Sequence, residues 1–139
     1  MDIEIILKKK CFVIDILPKR VKENSPGQFF KIEEYFLKNI DKLHEKFFDI
    51  IIKINCYYDL EFLVDGNSFK NPTPVRVKSL INSKNYILIK FKNSLITINH
   101  DDIYMTLYNP DKEILKLITD LSNANGLFVR EGECALWNS

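Results

Sequence analysis

The chain has 139 residues, of which 46% are hydrophobic and 28% charged, and its formal net charge is +1. That length suits one domain with a single core that needs neither metal nor disulfide to hold together, and that composition excludes a disordered chain. A sequence pI of about 7.7 also lies below the strongly basic balance usual for a nucleic-acid-binding domain.

The charge is segregated along the chain. Residues 66–100 hold six bases, Lys70, Arg76, Lys78, Lys84, Lys90 and Lys92, and no acid; residues 101–139 hold seven acids and three bases. If the fold keeps each segment on its own face, the two steer charged partners; if ion pairs join them, the asymmetry cancels. The cysteines, Cys11, Cys56 and Cys134, are odd in number and unpaired in sequence. The N-terminal MDIEIILKKK puts its charges after a short apolar run, the reverse of a secretory leader. No apolar stretch approaches the ~18 residues of a membrane span. A cytoplasmic protein with reduced cysteines is the expectation.

Taken in order, Asp2–Leu17 is rich in Ile, Val and Phe and reads as one bent strand or two short ones, ended by Pro18. Ser25-Pro26-Gly27-Gln28 has the form of a capping box. Phe29, Ile32, Phe36, Ile40, Leu43 and Phe47 then recur at helical spacing, widened by Phe30, Leu37 and Phe48. These residues predict a helix from Pro26 to about Asp49. Ile50–Val64 reads as strand or irregular exit, and residues 65–74 as a loop around Asp65-Gly66-Asn67, Pro72 and Pro74. Val75–Ile81, Tyr86–Lys92, Leu95–Asn99 and Ile103–Tyr108 read as four short strands with hairpin links. On that reading the six bases form a ladder on the solvent face of the sheet. Asn109-Pro110 predicts the cap of a second helix, with Ile114, Leu117, Ile118 and Leu121 inward and Gly126 as its stop. Leu127–Val129 and Cys134–Trp137 read as short strands, with Arg130–Glu133 as a turn between them. The expected fold is one α+β domain over residues 1–139. It has a mostly antiparallel sheet packed against a long helix in the N-terminal half and a second, C-terminal helix.

Little in the chain suggests catalysis. His44 sits in the first helix and reads as a surface or boundary residue. His100-Asp101-Asp102 offers an imidazole and two carboxylates that could serve as acid and base or hold a metal, but it equally describes a polar turn. Cys134 and His100 could pair as nucleophile and base only if the fold joined them. The cysteines lack the paired spacing of a zinc site, and the Gly-rich phosphate loops and the Ser elbow are missing. The expectation is a protein that is not an enzyme and needs no cofactor, metal or small molecule. A basic face of Arg76, Lys78, Lys90 and Lys92 near Tyr86 could follow a nucleic-acid backbone, or could simply guard the sheet against aggregation. Tyr57, Tyr58, Tyr104 and Tyr108 suit the aromatic anchors of a protein interface, or else the core.

The run His100-Asp-Asp-Ile-Tyr-Met-Thr-Leu-Tyr-Asn-Pro, the helix after it and Gly126-Leu-Phe-Val129 resemble the C-terminal part of small bacterial immunity proteins. Those proteins belong to polymorphic toxin and contact-dependent growth inhibition systems. The resemblance covers about 30 of the 139 residues, and its shared motif is a strand–cap–helix–strand joint. A Lys/Ile/Asn-rich composition agrees with it. The resemblance implies a cytoplasmic partner that binds a cognate toxin domain, often a nuclease, and blocks it. An acidic face of Asp101, Asp102, Asp111, Glu113, Glu131 and Glu133 would then mimic nucleic acid, with the basic residues as the alternative face.

Overall fold

A computed structural model of the protein describes residues 1–133; the expected strand at Cys134–Trp137 lies outside them. The elements are α1 (Ile3–Ile6), β1 (Cys11–Asp15), α2 (Phe29–Lys38), α3 (Ile40–Ile54), β2 (Glu61–Val64), β3 (Asn67–Lys70), α4 (Pro74–Asn82), β4 (Ile87–Phe91), β5 (Ser94–Ile98), β6 (Met105–Tyr108), α5 (Lys112–Ala124) and β7 (Phe128–Glu131). The strands form one antiparallel sheet in the order β3-β2-β4-β5-β6-β1-β7. The α+β class with a mostly antiparallel sheet and helices packed against it is therefore what the chain adopts.

The two-residue period of the strands gives the sheet two different faces. On one, Ile14, Met105, Ile98, Ile87 and Val64 are successive cross-strand partners, and Phe62, Ile89, Ile96 and Leu107 form a second row. Both rows are buried under α3, α4 and α5 in one core. Helix α3 supplies Leu43, Phe47, Ile50, Ile51 and Ile54, which recur at steps of one, three or four and are all buried. Helix α5 supplies Ile114 and Ile118. On the opposite face the described residues cover only one flank. There α1 packs on β5 and buries Ile6, and Leu95 and Cys11 are also fully buried.

Several sequence expectations change. Residues 3–6 are helix, so Asp2–Leu17 contributes only β1 as strand. The expected long helix is two helices. Asn39 leaves helical geometry at φ −114, ψ 33, and its side chain donates to the Tyr35 carbonyl. The first of them starts at Phe29, after Gln28 with no side-chain cap, so Ser25 and Pro26 do not open it. Ile50–Ile54 prolong α3, because Ile50, Ile51 and Ile54 continue its buried stripe. The supposed loop at 65–74 contains β3. Asp65 and Gly66, at φ 49 and 76, make the tight turn that joins it to β2.

The largest change is at Val75–Ile81, which is helix α4 and not a strand. Thr73 caps it, accepting from the Arg76 N–H at 3.3 Å, and Pro74 takes the first turn. Val77, Leu80 and Ile81 then face the core. At α5 the cap is Asp111, whose Oδ1 accepts from the Ile114 N–H at 2.8 Å, and not Asn109. Gly126 does stop this helix, at φ 74, while the Leu127 N–H returns to the Ser122 carbonyl. Arg130 and Glu131 extend β7 and do not turn.

Candidate protein-interaction surface

One cross-strand row, Leu88–Thr97–Thr106–Val13–Arg130, runs across the part of the outer sheet face that the described residues leave without a helix. Beside it lies a groove of about 440 Å³, lined among the described residues by Val13, Thr106, Tyr104, Tyr108 and Arg130, with Arg20 and Glu133 at its rim. Its floor is held by an ion pair. Arg130 Nη2 lies 2.9 Å from Asp15 Oδ2, with only 20% and 10% of the two side chains exposed. The other Asp15 oxygen accepts from the Ile16 N–H at 2.7 Å. At the rim Arg20 reaches Glu133 at 2.8 Å. Burial raises the phenol pKa of both Tyr104 and Tyr108. The carboxylate of Asp102 adds to the rise at Tyr104, and Tyr86 to that at Tyr108. Both tyrosines therefore stay neutral donors at ordinary pH.

The six acids expected to form one patch fall into two groups. Asp101 and Asp102 sit in the β5–β6 loop, at the end of the sheet where β1 finishes. Asp111, Glu113, Glu131 and Glu133 lie at the opposite end of β6 and β1. Asp111 is engaged as the α5 cap, Glu131 pairs with Lys10 at 2.8 Å, and Glu133 pairs with Arg20. Burial raises the Asp102 pKa, and then the adjacent Asp101 and the Glu33 carboxylate of α2 raise it further, against a Tyr104 hydrogen bond that lowers it. Asp101 and Asp102 thus make an acidic corner of the β5–β6 loop, with the Asp101 side chain 78% exposed.

The basic residues do not form the expected ladder. Arg76 and Lys78 stand on α4, over the rings of Phe69 and Phe48 at 4.7 and 5.9 Å. Lys90 is on the far face of the sheet and reaches the Lys92 carbonyl at 3.3 Å, while Lys92 covers Tyr58 at 5.1 Å. Each cation lies against an aromatic ring or a backbone carbonyl, and the four share no single face.

Two other sequence expectations concern histidine and cysteine. His100 pairs with Asp101 at 3.2 Å, and no group of three His, Cys, Asp or Glu side chains among the described residues is placed to hold a metal. Cys56 is a free, exposed thiol, and Cys11 is fully buried. His44 is not at the surface. It is 4% exposed where α3 meets α4, against Phe47, and Asn82 is near, yet neither ring nitrogen makes a hydrogen bond of acceptable geometry. Burial lowers its pKa below 6.5, opposed by Asn82 and Asp41 and helped by His100. The fold therefore takes up neutral His44, and the unfolded chain binds a proton more readily. Stability is fully present above the unfolded pKa and falls as pH drops below it. Unfolding in urea between about pH 7 and 5 should show this loss, and His44→Phe should flatten the slope.

Helix α2 contributes no fully buried residue although it reads FFKIEEYFLK. Phe36 and Leu37 pack against the core, but Phe30 is 78%, Tyr35 59% and Ile32 42% exposed. Phe30 and Ile32, expected in the buried stripe, are outside it. The signal was present in the sequence: apolar residues at 29, 30, 32, 35, 36 and 37 wrap too far around a helix for one face to bury.

No helix among the described residues is long and apolar enough to cross a membrane. No protein-family model matches the chain, and neither a curated protein nor a solved structure is similar to it.

Proposed function

We propose that this chain is a cytoplasmic immunity protein. It binds a cognate toxin domain, of the nuclease class, at one-to-one stoichiometry, blocks that domain and catalyses nothing itself. The observation that carries this reading is the pair of adjacent acids Asp101 and Asp102, joined through the Asp102–Tyr104 hydrogen bond to the tyrosine-lined groove. Two adjacent carboxylates in one loop make a locally negative surface. Such a surface speeds encounter with the basic cleft in which a nuclease holds its substrate, and nearby aromatic side chains supply the short-range affinity. The resemblance of residues 100–129 to immunity proteins points the same way. The scattering of Arg76, Lys78, Lys90 and Lys92 leaves the nucleic-acid-binding alternative without a continuous basic strip.

The test is association kinetics with the toxin domain encoded beside this chain. Asp101→Lys together with Asp102→Lys should slow association by about 10-fold or more at low salt, and the difference should shrink as salt rises. An association rate that ignores both the substitutions and the salt would remove the acidic corner from the interface.

A further inference from the structure

We propose that a groove between the end of α3 and one face of α5 is a receptor for an arginine side chain presented by a protein partner. The groove holds about 270 Å³ and is lined by Tyr57, Tyr58, Glu113, Lys116, Leu117 and Asp120. Tyr57 and Tyr58 follow α3 in a turn whose backbone is fixed. Both N–H groups donate to the Ile54 carbonyl at 3.0 Å, and the Asn55 side chain donates to the Tyr58 carbonyl at 3.0 Å. Tyr58 packs on Phe91 with ring centroids 5.9 Å apart, while Tyr57 is 69% exposed. Across from them, Glu113, Leu117 and Asp120 recur at helical spacing along one stripe of α5. Leu117, expected inward, is half-buried and lines this groove.

The chemistry of the occupant follows from that lining. Lys116 Nζ is held by Asp120 at 3.0 Å, so those two charges cancel. Glu113 makes no ion pair among the described residues. The groove therefore carries one unbalanced carboxylate beside two phenol rings and a leucine. Ring faces attract cations, and Tyr58 already draws Lys92 Nζ to 5.1 Å from its centre. An arginine matches all three features: its methylene stem packs on Leu117, its planar guanidinium stacks on a tyrosine ring, and its charge meets Glu113. A second copy of this chain has no such side chain to offer. Its three arginines are engaged, Arg20 by Glu133, Arg130 by Asp15 and Arg76 over Phe69. Glu113 is at the opposite end of β6 from Asp101 and Asp102. The inference thus goes beyond the immunity reading and does not require that the partner be a toxin.

The experiment titrates the full chain, nitrogen-labelled for NMR, with N-acetyl-arginine amide and with N-acetyl-citrulline amide, which has the same shape and no charge. Arginine amide should shift the Tyr57, Tyr58 and Leu117 amides to saturation with a Kd of about 1–10 mM, and citrulline amide should bind at least about fivefold more weakly. Glu113→Gln and Tyr57→Ala alter exposed side chains, so the melting temperature should hold within a few degrees, and each should weaken arginine binding about threefold to fivefold. The absence of saturating shifts at those amides by about 50 mM, or equal affinity for citrulline amide, overturns the inference. Folded Glu113→Gln and Tyr57→Ala variants that bind arginine amide like the parent overturn it too. None of these results touches the immunity reading, whose test lies at Asp101 and Asp102.

Discussion

Phe47→Ala should cost the protein about 3–5 kcal/mol, the range for truncating a fully buried phenylalanine. Phe47 is 0% exposed and lies in the middle of α3, between Leu43 and Ile50 in the buried stripe. The loss cannot come from the helix itself, because alanine is the better helix former. It comes from the removed apolar area and from the cavity that α4, α5 and the sheet cannot fill by moving. A domain of this size has a total stability of about 5–15 kcal/mol, so the variant would be near the edge of folding. Urea unfolding should show the midpoint falling sharply with little change in its slope. A loss below about 1 kcal/mol would place Phe47 outside the core.

The ion pair under the groove should give the second-largest effect. Arg130→Met leaves the Asp15 carboxylate, only 10% exposed, with the Ile16 N–H as its remaining described partner. The expected cost is about 2–3 kcal/mol, below that of a wholly buried pair because Arg130 keeps one-fifth of its side chain in solvent. The double replacement Asp15→Leu with Arg130→Met should recover much of that loss, since no charge is then left alone. A double-mutant cycle measures this directly. Equal losses for the single and double variants would mean that the pair holds nothing in place.

The antiparallel sheet was legible where apolar residues alternate and turn residues separate them. Ile87, Ile89 and Phe91 alternate cleanly, and β4, β5 and β6 fall where that pattern puts them. Segments in which β-branching competed with helical spacing were not legible. In Val75–Ile81 the valines and isoleucine suggested a strand, but Thr73-Pro74 and the spacing of Val77, Leu80 and Ile81 decided for helix. Ile50–Ile54 went the same way, because burial of one stripe outweighs the intrinsic preference of isoleucine. Four residues at Ile3–Ile6 are too few for periodicity to separate helix from strand.

The candidate site was half legible. Asp101 and Asp102 could be named from the polar loop, and Tyr104 and Tyr108 from their shared strand face. Asp111 and Glu113 share the same acidic segment of sequence, yet β6 carries them to the other end of the sheet. Charge runs along a chain become surface patches only when the topology folds them onto one side.

The most direct measurement is to express the protein encoded beside this chain in a bacterial host, alone and together with this chain, and to follow growth and co-purification. The immunity reading predicts that the neighbour alone arrests growth, that this chain restores it, and that the two purify as a one-to-one complex. A neighbour that is harmless alone, or that arrests growth despite this chain and does not co-purify with it, would contradict that reading.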